Sequence, residues 1–486
     1  VNPSRHDLIR ALQAFLPDEA ILADEEALRP YECDGLSAFK QLPLLVAMPE
    51  TVAQVQQVMR ICHQFQVPVV ARGAGTGLSA GALPHSGGVL LSLAKFNRIL
   101  DIDVQACTAR VQPGVRNLAI SQAVVPYGLF YAPDPSSQVA CSIGGNVAEN
   151  SGGVHCLKYG LTVHNVLKLE VITAEGELLT IGSDALDSPG YDLLALIHGS
   201  EGMLGIVVEV TVKLLPLPEA VRVLLVAFDS VEKAGQAVGD IIAAGIVPAG
   251  LEMMDNPAIR AAEDFAHAGY PTDAAAILLC EIDGGLDEVA SQVARVRGVL
   301  MQSDATEVRL AVEESDRQKL WKGRKSAFPA IGRLSPDYYC MDGTIPRKAL
   351  PQVLHQISEL SKEFNLPVAN VFHAGDGNLH PLILYDAGKP GELHRAEQLG
   401  GRILELCVKV GGTITGEHGV GVEKLDQMCV QFAPLELAQF HAIKAAFDPE
   451  GLLNPGKAVP ELHRCAELGA MHVHQGQLAH PELERF

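Results

Sequence analysis

The segment His373-Ala-Gly-Asp-Gly-Asn-Leu-His380 places two imidazoles symmetrically about a glycine-rich turn. Asp-Gly is a strong signal for a two-residue hairpin turn. With Asp376 and Gly377 at the turn, Gly375 faces Asn378, Ala374 faces Leu379, and His373 faces His380. Directly opposed residues share one face of the ladder, with Cβ atoms about 4.5–5.5 Å apart. Two imidazoles so placed can chelate one ion. Further along, Thr415-Gly-Glu-His-Gly-Val-Gly421 supplies a carboxylate, Glu417, and a third imidazole, His418. His373, His380 and Glu417 then form a two-histidine, one-carboxylate set with open positions, as in catalytic zinc sites. Fe(II) and Mn(II) use similar ligands. The alternative for the pair is a cross-strand histidine stack without an ion.

A second chemistry-bearing stretch lies near the start of the chain. In "VVARGAGTGLSAGALPHSGG", Gly75-x-Gly77-x-x-Ala80 matches the dinucleotide fingerprint of a Rossmann unit. That reading needs a helix to begin there, so that its N-terminus can hold a pyrophosphate. Pro84 and Gly87-Gly88 follow too soon for a packed crossover helix, so a nicotinamide-type Rossmann site is rejected. Gly73, Gly75, Gly77 and Gly81 still free the backbone to turn its N–H groups inward as an anion nest. Thr76 and Ser79 add hydroxyl donors; the alternative is a tight surface turn. The segment 131–160, rich in glycine, serine and asparagine, reads as a long loop, and so long a loop in a compact domain is usually functional. "HGSEGMLGIVVEV" ends in a strand that can lie along a flat ligand.

The elements that must carry these stretches follow from periodicity. "PLLVAMPETVAQVQQVMRICHQFQVPVVARG" reads strand, helix, strand, with Thr51 and Gln54 as a capping box. "LLPLPEAVR" breaks the pattern with two prolines and marks a boundary. Beyond it, "RVLLVAFDSVEKAGQAVGDIIAAG" and "AAAILLCEIDG" with the following helix predict an α+β layer with helices on one face of a sheet. After about residue 395 the pattern is mostly helical. The expected class is α+β: one domain over 41–218 behind a helical lead-in, 1–40, then a sheet-and-helix domain over 219–420. A helical segment and tail, 421–486, complete it.

The chain has 486 residues and a formal charge of −21. So acidic a surface repels nucleic acid and anionic lipid, which excludes both as partners. No apolar run is long enough for a transmembrane helix, and the amphipathic start does not read as a signal peptide. The ten cysteines show no CxxC spacing. The expectation is free buried thiols in a cytoplasmic setting, with no iron–sulfur cluster on this chain.

The glycine loop, "FYAPDPSSQVACSIGGNVAEN" and the Glu201–Val207 stretch resemble the FAD-binding domain of the vanillyl-alcohol-oxidase, or PCMH-type, flavoproteins. With "YECDGLSAFK", "SPDYYCMDGTIP" and the C-terminal half, the chain resembles their D-2-hydroxyacid dehydrogenase branch, and within it the FAD-linked subunits of glycolate oxidases. That resemblance makes 41–218 a two-subdomain nucleotide domain and 219–420 an antiparallel-sheet cap, and it implies oxidation of glycolate to glyoxylate. It implies FAD held by Gly73, Ala74, Gly75, Thr76, Gly77, Leu78, Ser79, Gly81, Pro133, Asp134, Ser137, Gly144, Gly145, Gly153, Glu201, Gly205, Ile206, Val207 and Asn454. Thr76 stands where relatives that attach FAD covalently have histidine, so the flavin is expected to be non-covalent. The resemblance also assigns a divalent metal, Zn2+ foremost, to His373, His380 and Glu417. It gives His418 the substrate hydroxyl proton and Arg324 the carboxylate; Lys325 is either a second cation for it or a solvated charge. The implied partners are a second flavin-domain subunit and an iron–sulfur subunit, loosely membrane-associated. The tail Leu462–Phe486 is then either a docking element or an arm packed on its own domain.

Competing functions are a D-lactate dehydrogenase of the same branch, separable by substrate profiling, and a metal-stabilised scaffold whose flavin glycolate does not bleach. A zinc hydrolase is disfavoured, because glycines break the helix that two zinc-binding histidines on one face would need.

Overall fold

The structure is a computed structural model and describes residues 4–185 and 190–460. The tail from Leu462 lies outside the described residues. The lead-in helix α1 (Arg5–Leu12) is capped by Ser4. A four-stranded sheet follows, built from β1 (Ile21–Leu22), β2 (Leu45–Ala47), β3 (Val69–Arg72) and β4 (Val89–Ser92), in the order β1-β2-β4-β3. Between β2 and β3 runs α2 (Val52–Phe65), opened by the expected capping box: Gln54 N–H donates to Thr51 Oγ1 and Thr51 N–H to Gln54 Oε1, each at 3.2 Å. Its apolar face, Val55, Val58, Met59 and Cys62, packs with Leu8 and Leu12 of α1 on Leu45, Val69 and Val89. Burying each such aliphatic side chain contributes roughly 1.5–3 kcal/mol. No helix follows β3. The chain turns through residues 73–88 and enters β4, which pairs with β3 in parallel; the glycine loop sits at the C-terminal end of β3, but no helix follows it as one would in a Rossmann unit.

A second sheet is antiparallel throughout: β5 (Ile99–Asp103), β6 (Thr108–Val111), β7 (Val166–Ile172), β8 (Leu178–Gly182) and β9 (Ile206–Lys213), ordered β5-β6-β9-β7-β8. The stretch expected to be a loop over 131–160 contains a helix, α3 (Ile143–Glu149). Its apolar spacing, Ile143 and Val147, is too short to be told from loop by periodicity, but both side chains enter the core of the second sheet.

The third sheet has seven antiparallel strands: β10 (Ala220–Phe228), β11 (Gly250–Asp255), β12 (Ala276–Gly284), β13 (Glu307–Ala311), β14 (Asp337–Cys340), β15 (Val368–Phe372) and β16 (Pro381–Tyr385). Their order is β13-β10-β12-β11-β15-β16-β14. The expectation of helices on one face is corrected here. Leu224, Val226, Phe228 and Leu278 face α4 (Val231–Ala243), α6 (Leu286–Gln302), α9 (Leu350–Phe364) and α10 (Glu392–Lys409). Val223, Leu225, Ala227 and Ile277 face α5 (Asn256–Ala266), α7 (Glu314–Lys325) and α8 (Ala327–Ile331). The signal was present: β10 and β12 are near-continuous apolar runs, which marks a strand covered on both sides.

Among the described residues eight cysteines are free thiols, but Cys429 is disulfide-bonded, which corrects the expectation of free thiols throughout. Spacing along the chain does not report which sulfurs meet in space. No helix among the described residues is long and apolar enough to cross a membrane.

Candidate functional site

The histidine hairpin forms, in a register the sequence did not foretell. Residues Val368–Asn370 pair with Ile383–Pro381, and the ladder continues to His373 opposite Asn378. The loop is therefore Ala374–Gly377, and His373 does not face His380 directly. A shift of two residues keeps a side chain on the same face, whereas a shift of one would reverse it. The two imidazoles still meet on a diagonal, edge to face, with ring centroids 5.0 Å apart. Gly377 holds φ +78°, and a Cβ there would fall on the Ile345 carbonyl oxygen, so the place has no room for a side chain.

Glu417 Oε1 lies 3.2 Å from His373 Nε2 and 3.1 Å from His380 Nε2. Two ligands about 2.1 Å from a shared ion, subtending roughly 95–110°, lie about 3.1–3.4 Å apart. The spacing of Glu417 Oε1 to each imidazole suits one shared ion, and all three ligand atoms lie within 4.8 Å of one another. Each ring's other nitrogen is also committed: His373 Nδ1 to the Glu252 carboxylate at 2.9 and 3.0 Å, His380 Nδ1 to the Met341 carbonyl at 3.3 Å. Metal-binding histidines carry such partners, which fix tautomer and ring direction. Burial alone would lower the His373 pKa, but Glu252 and then Glu417 outweigh it and hold it well above the usual value. Burial likewise opposes ionisation of Glu417, and His373 and His380 reverse that, holding it well below the carboxylate range. Of the carboxylates around these imidazoles, Glu252 is paired with Arg324 and Asp342 with Lys424, which leaves the Glu417 carboxylate to balance an ion. A second grouping, Cys340, His380 and His418, is also within ligand spacing; without an ion, burial holds the Cys340 thiol well above its usual pKa.

Asp342, fully buried, organises the loop that presents Glu417. It accepts from Thr415 Oγ1 at 2.6 Å, from Gly416 N–H at 2.8 Å through its backbone carbonyl, from His418 N–H at 2.9 Å and from Lys424 Nζ at 3.1 Å. His418 is stacked on His380, centroids 4.9 Å apart and 5° from parallel, and its Nδ1 has no hydrogen-bond partner. Burial pushes its pKa down to about 4, so the ring is neutral near pH 7.

A cavity of about 480 Å³ runs past this edge. Of the residues assigned to the cofactor, Gly73, Ala74, Gly75, Thr76, Gly77, Leu78, Gly81, Ser137, Gly144, Gly145, Glu201, Gly205, Ile206 and Val207 line it. His380, Glu417 and His418 line it too, so the glycine loops and the histidine edge share one chamber. Five assigned residues stand behind the wall instead. Ser79 Oγ donates to the His418 carbonyl at 2.9 Å, so it ties the glycine loop to the Glu417 loop and is not a free donor. Asn454 Nδ2 donates to the carbonyls of Gly81 (2.9 Å) and Glu201 (2.6 Å). The Pro133 carbonyl accepts from Asn117 Nδ2, Asp134 pairs with His155 at 3.0 Å, and Gly153 packs on Asp134.

Arg324 is not at the cavity. Its guanidinium is 1% exposed and turned onto Glu252, Nη2 to Oε2 at 2.5 Å, behind His373. The neighbouring Lys325 lines the cavity instead, beside Phe328 and Pro329. One residue along α7 is about 100° around the axis, enough to exchange a buried face for a cavity-facing one.

Sequence reasoning missed Glu252 and Asp342. Glu252 had a signal: it sits in the apolar strand "GLEMMD", where a charged side chain must be paired once buried. Asp342 had none, because its partners lie some seventy residues away.

Residues 43–182 match the FAD binding domain family, and residues 217–458 match the family of FAD linked oxidases, C-terminal domain. Glycolate oxidase subunit GlcD of Escherichia coli (strain K12) is 67% identical over 482 residues, 99% of this chain and 97% of that one. The Bacillus subtilis (strain 168) protein of the same name is 41% identical, over 88% of this chain and 91% of its own. A D-lactate dehydrogenase of Anaerostipes hadrus is 30% identical, over 94% and 98%. Among solved structures, p-cresol methylhydroxylase with substrate bound superposes with a TM-score of 0.78 at 18% identity, covering 94% of this chain and 97% of that one. At that identity the likeness bears on the fold, which is the α+β fold expected.

Proposed function

The chain belongs to the FAD-linked oxidases, and from that premise we propose that it oxidises glycolate to glyoxylate on a non-covalent FAD, assisted by a divalent ion at His373, His380 and Glu417. The observation that carries the reading is the meeting, in one cavity, of the glycine-rich loops with His380, Glu417 and His418. When bound, FAD supplies the hydride acceptor and the ion lowers the pKa of the substrate hydroxyl. The remaining work falls to side chains of this chain. His418, neutral and with Nδ1 unpartnered, takes the hydroxyl proton. The stack on His380 and the Asp342 bond to its backbone N–H keep the ring in place. Lys325 meets the carboxylate at the cavity wall, in the role first assigned to Arg324, while Phe328 and Pro329 beside it exclude water. Arg324 steadies Glu252 and, through it, His373. Zinc suits two imidazoles and a carboxylate, as do manganese(II) and iron(II).

Relatives named as glycolate oxidase subunits support a place in a complex. A second flavin-domain subunit and an iron–sulfur subunit would carry the electrons onward, since this sequence has no CxxC spacing to hold a cluster. The complex works in the cytoplasm, peripheral to the membrane.

An anaerobic spectrum of the purified chain, before and after glycolate, tests the reading, with D-lactate in parallel and metal analysis of the same sample. Bleaching by glycolate at lower concentration than by D-lactate is expected. Preferential bleaching by D-lactate assigns the other substrate, and no bleaching by either rejects the dehydrogenase.

A further inference from the structure

A second cavity, of about 760 Å³, reaches the same ligand set from another side. It lies between residues 152–164 of the nucleotide domain and the segments 239–243, 344–348 and 373–378 of the cap. Its floor includes His373 and Glu417. Its rim carries Ala243, Lys348 and His164, all exposed. Glu417 lines both cavities, His380 and His418 line the first, and His373 lines the second. The candidate metal ligands are therefore the partition between two chambers.

We infer that the second cavity is the route by which the small hydroxyacid anion reaches those ligands, an inference that rests on the function proposed above. The first argument is steric. The first chamber is the one that FAD would fill, so a substrate needs another approach to the same carboxylate and imidazoles. Gly239 in the wall of the second chamber has open space where a Cβ would stand, whereas Gly152 and Gly416 let the backbone close on Glu417 and Asn378. The second argument is charge. The chain carries −21 overall and repels an anion at long range. Screening confines that field to about 8–10 Å in physiological salt, so the groups at the mouth decide the encounter. Lys348 presents an exposed ammonium there. Arg347 stands beside it with Nη1 on the Gly375 carbonyl at 3.1 Å, which fixes a second cation in the wall. Asp376 lines the same cavity, and against that one carboxylate the two cations leave the entrance net positive, a field that raises anion on-rates.

The test uses the full chain loaded with FAD and metal. Anaerobic stopped-flow gives the second-order and limiting rates of flavin reduction by glycolate. Association of oxalate, an inert carboxylate anion, is followed through the flavin spectrum. Lys348→Glu is expected to slow both the second-order reduction and oxalate association roughly tenfold at low ionic strength, with the difference vanishing in high salt. The limiting rate, flavin content and metal content should stay unchanged. Ala243→Trp, at the rim, is expected to slow oxalate association and dissociation together and leave the affinity unaltered, as a narrowed passage does and a damaged site does not. Wild-type association rates in both variants overturn the inference, as does wild-type protein that binds no oxalate. Failure of glycolate to reduce the wild-type flavin counts instead against the proposed function, and oxalate kinetics still read the route.

Discussion

Glu252→Gln isolates the part of the site that lies behind the ligands. Glu252 is 1% exposed, holds His373 Nδ1 through both oxygens, and pairs with Arg324, equally buried. The substitution keeps the volume and removes the charge. Loss of such an outer partner costs about 10–100-fold in metal affinity, equivalent to about 1.4–2.7 kcal/mol. It also leaves the Arg324 guanidinium buried without its anion. Breaking a buried pair from one side costs about 3–5 kcal/mol, and the glutamine oxygen can still accept one bond, so the lower end is expected. At about 2–4 °C per kcal/mol for a domain of this size, the midpoint should drop by roughly 6–12 °C. The double variant Glu252→Gln/Arg324→Met removes both charges. It should recover most of the stability, since replacing a whole buried pair is often neutral, but none of the metal affinity. Chelator competition and thermal unfolding of metal-free protein read the two effects separately. Wild-type metal affinity in Glu252→Gln would show that the Nδ1 contact does not position His373. A double variant no more stable than the single would show that the stranded charge was not the cost.

Acid precipitation should leave the yellow colour in the supernatant, because the glycine loop presents Thr76 and no histidine to the cavity for a covalent link; flavin in the pellet refutes this. His373→Ala and His380→Ala should each lose metal and turnover while keeping flavin at wild-type stoichiometry, since the hairpin belongs to the third sheet and the glycine loops to the first; metal analysis and absorbance decide it. Lys325→Met should raise KM for glycolate and lower kcat together, because a carboxylate anchor also positions the α-hydrogen. An unchanged KM would return the role to Arg324.

Residue types and short spacings by themselves determined what could bind here. Four glycines in the nine residues 73–81, with no helix after them, implied a backbone cradle outside any Rossmann unit. The residues lining the cavity include most of that loop because a loop at the end of a buried strand has few other places to go. The His373–His380 pair was legible for a similar reason: a turn between short strands keeps both side chains on one face even when the register slips by two. What spacing did not contain was anything set by contact between distant segments. The helices on the second face of the cap sheet, the turn of Arg324 away from the cavity, and the cage of Glu252 and Asp342 are of that kind. Glu252 meets a ligand 121 residues away, and Asp342 fixes a loop about 75 residues on. Local periodicity states that a side chain is buried, not against what. Only the packed fold decided which carboxylate orients a histidine and which one offers its oxygen to an ion.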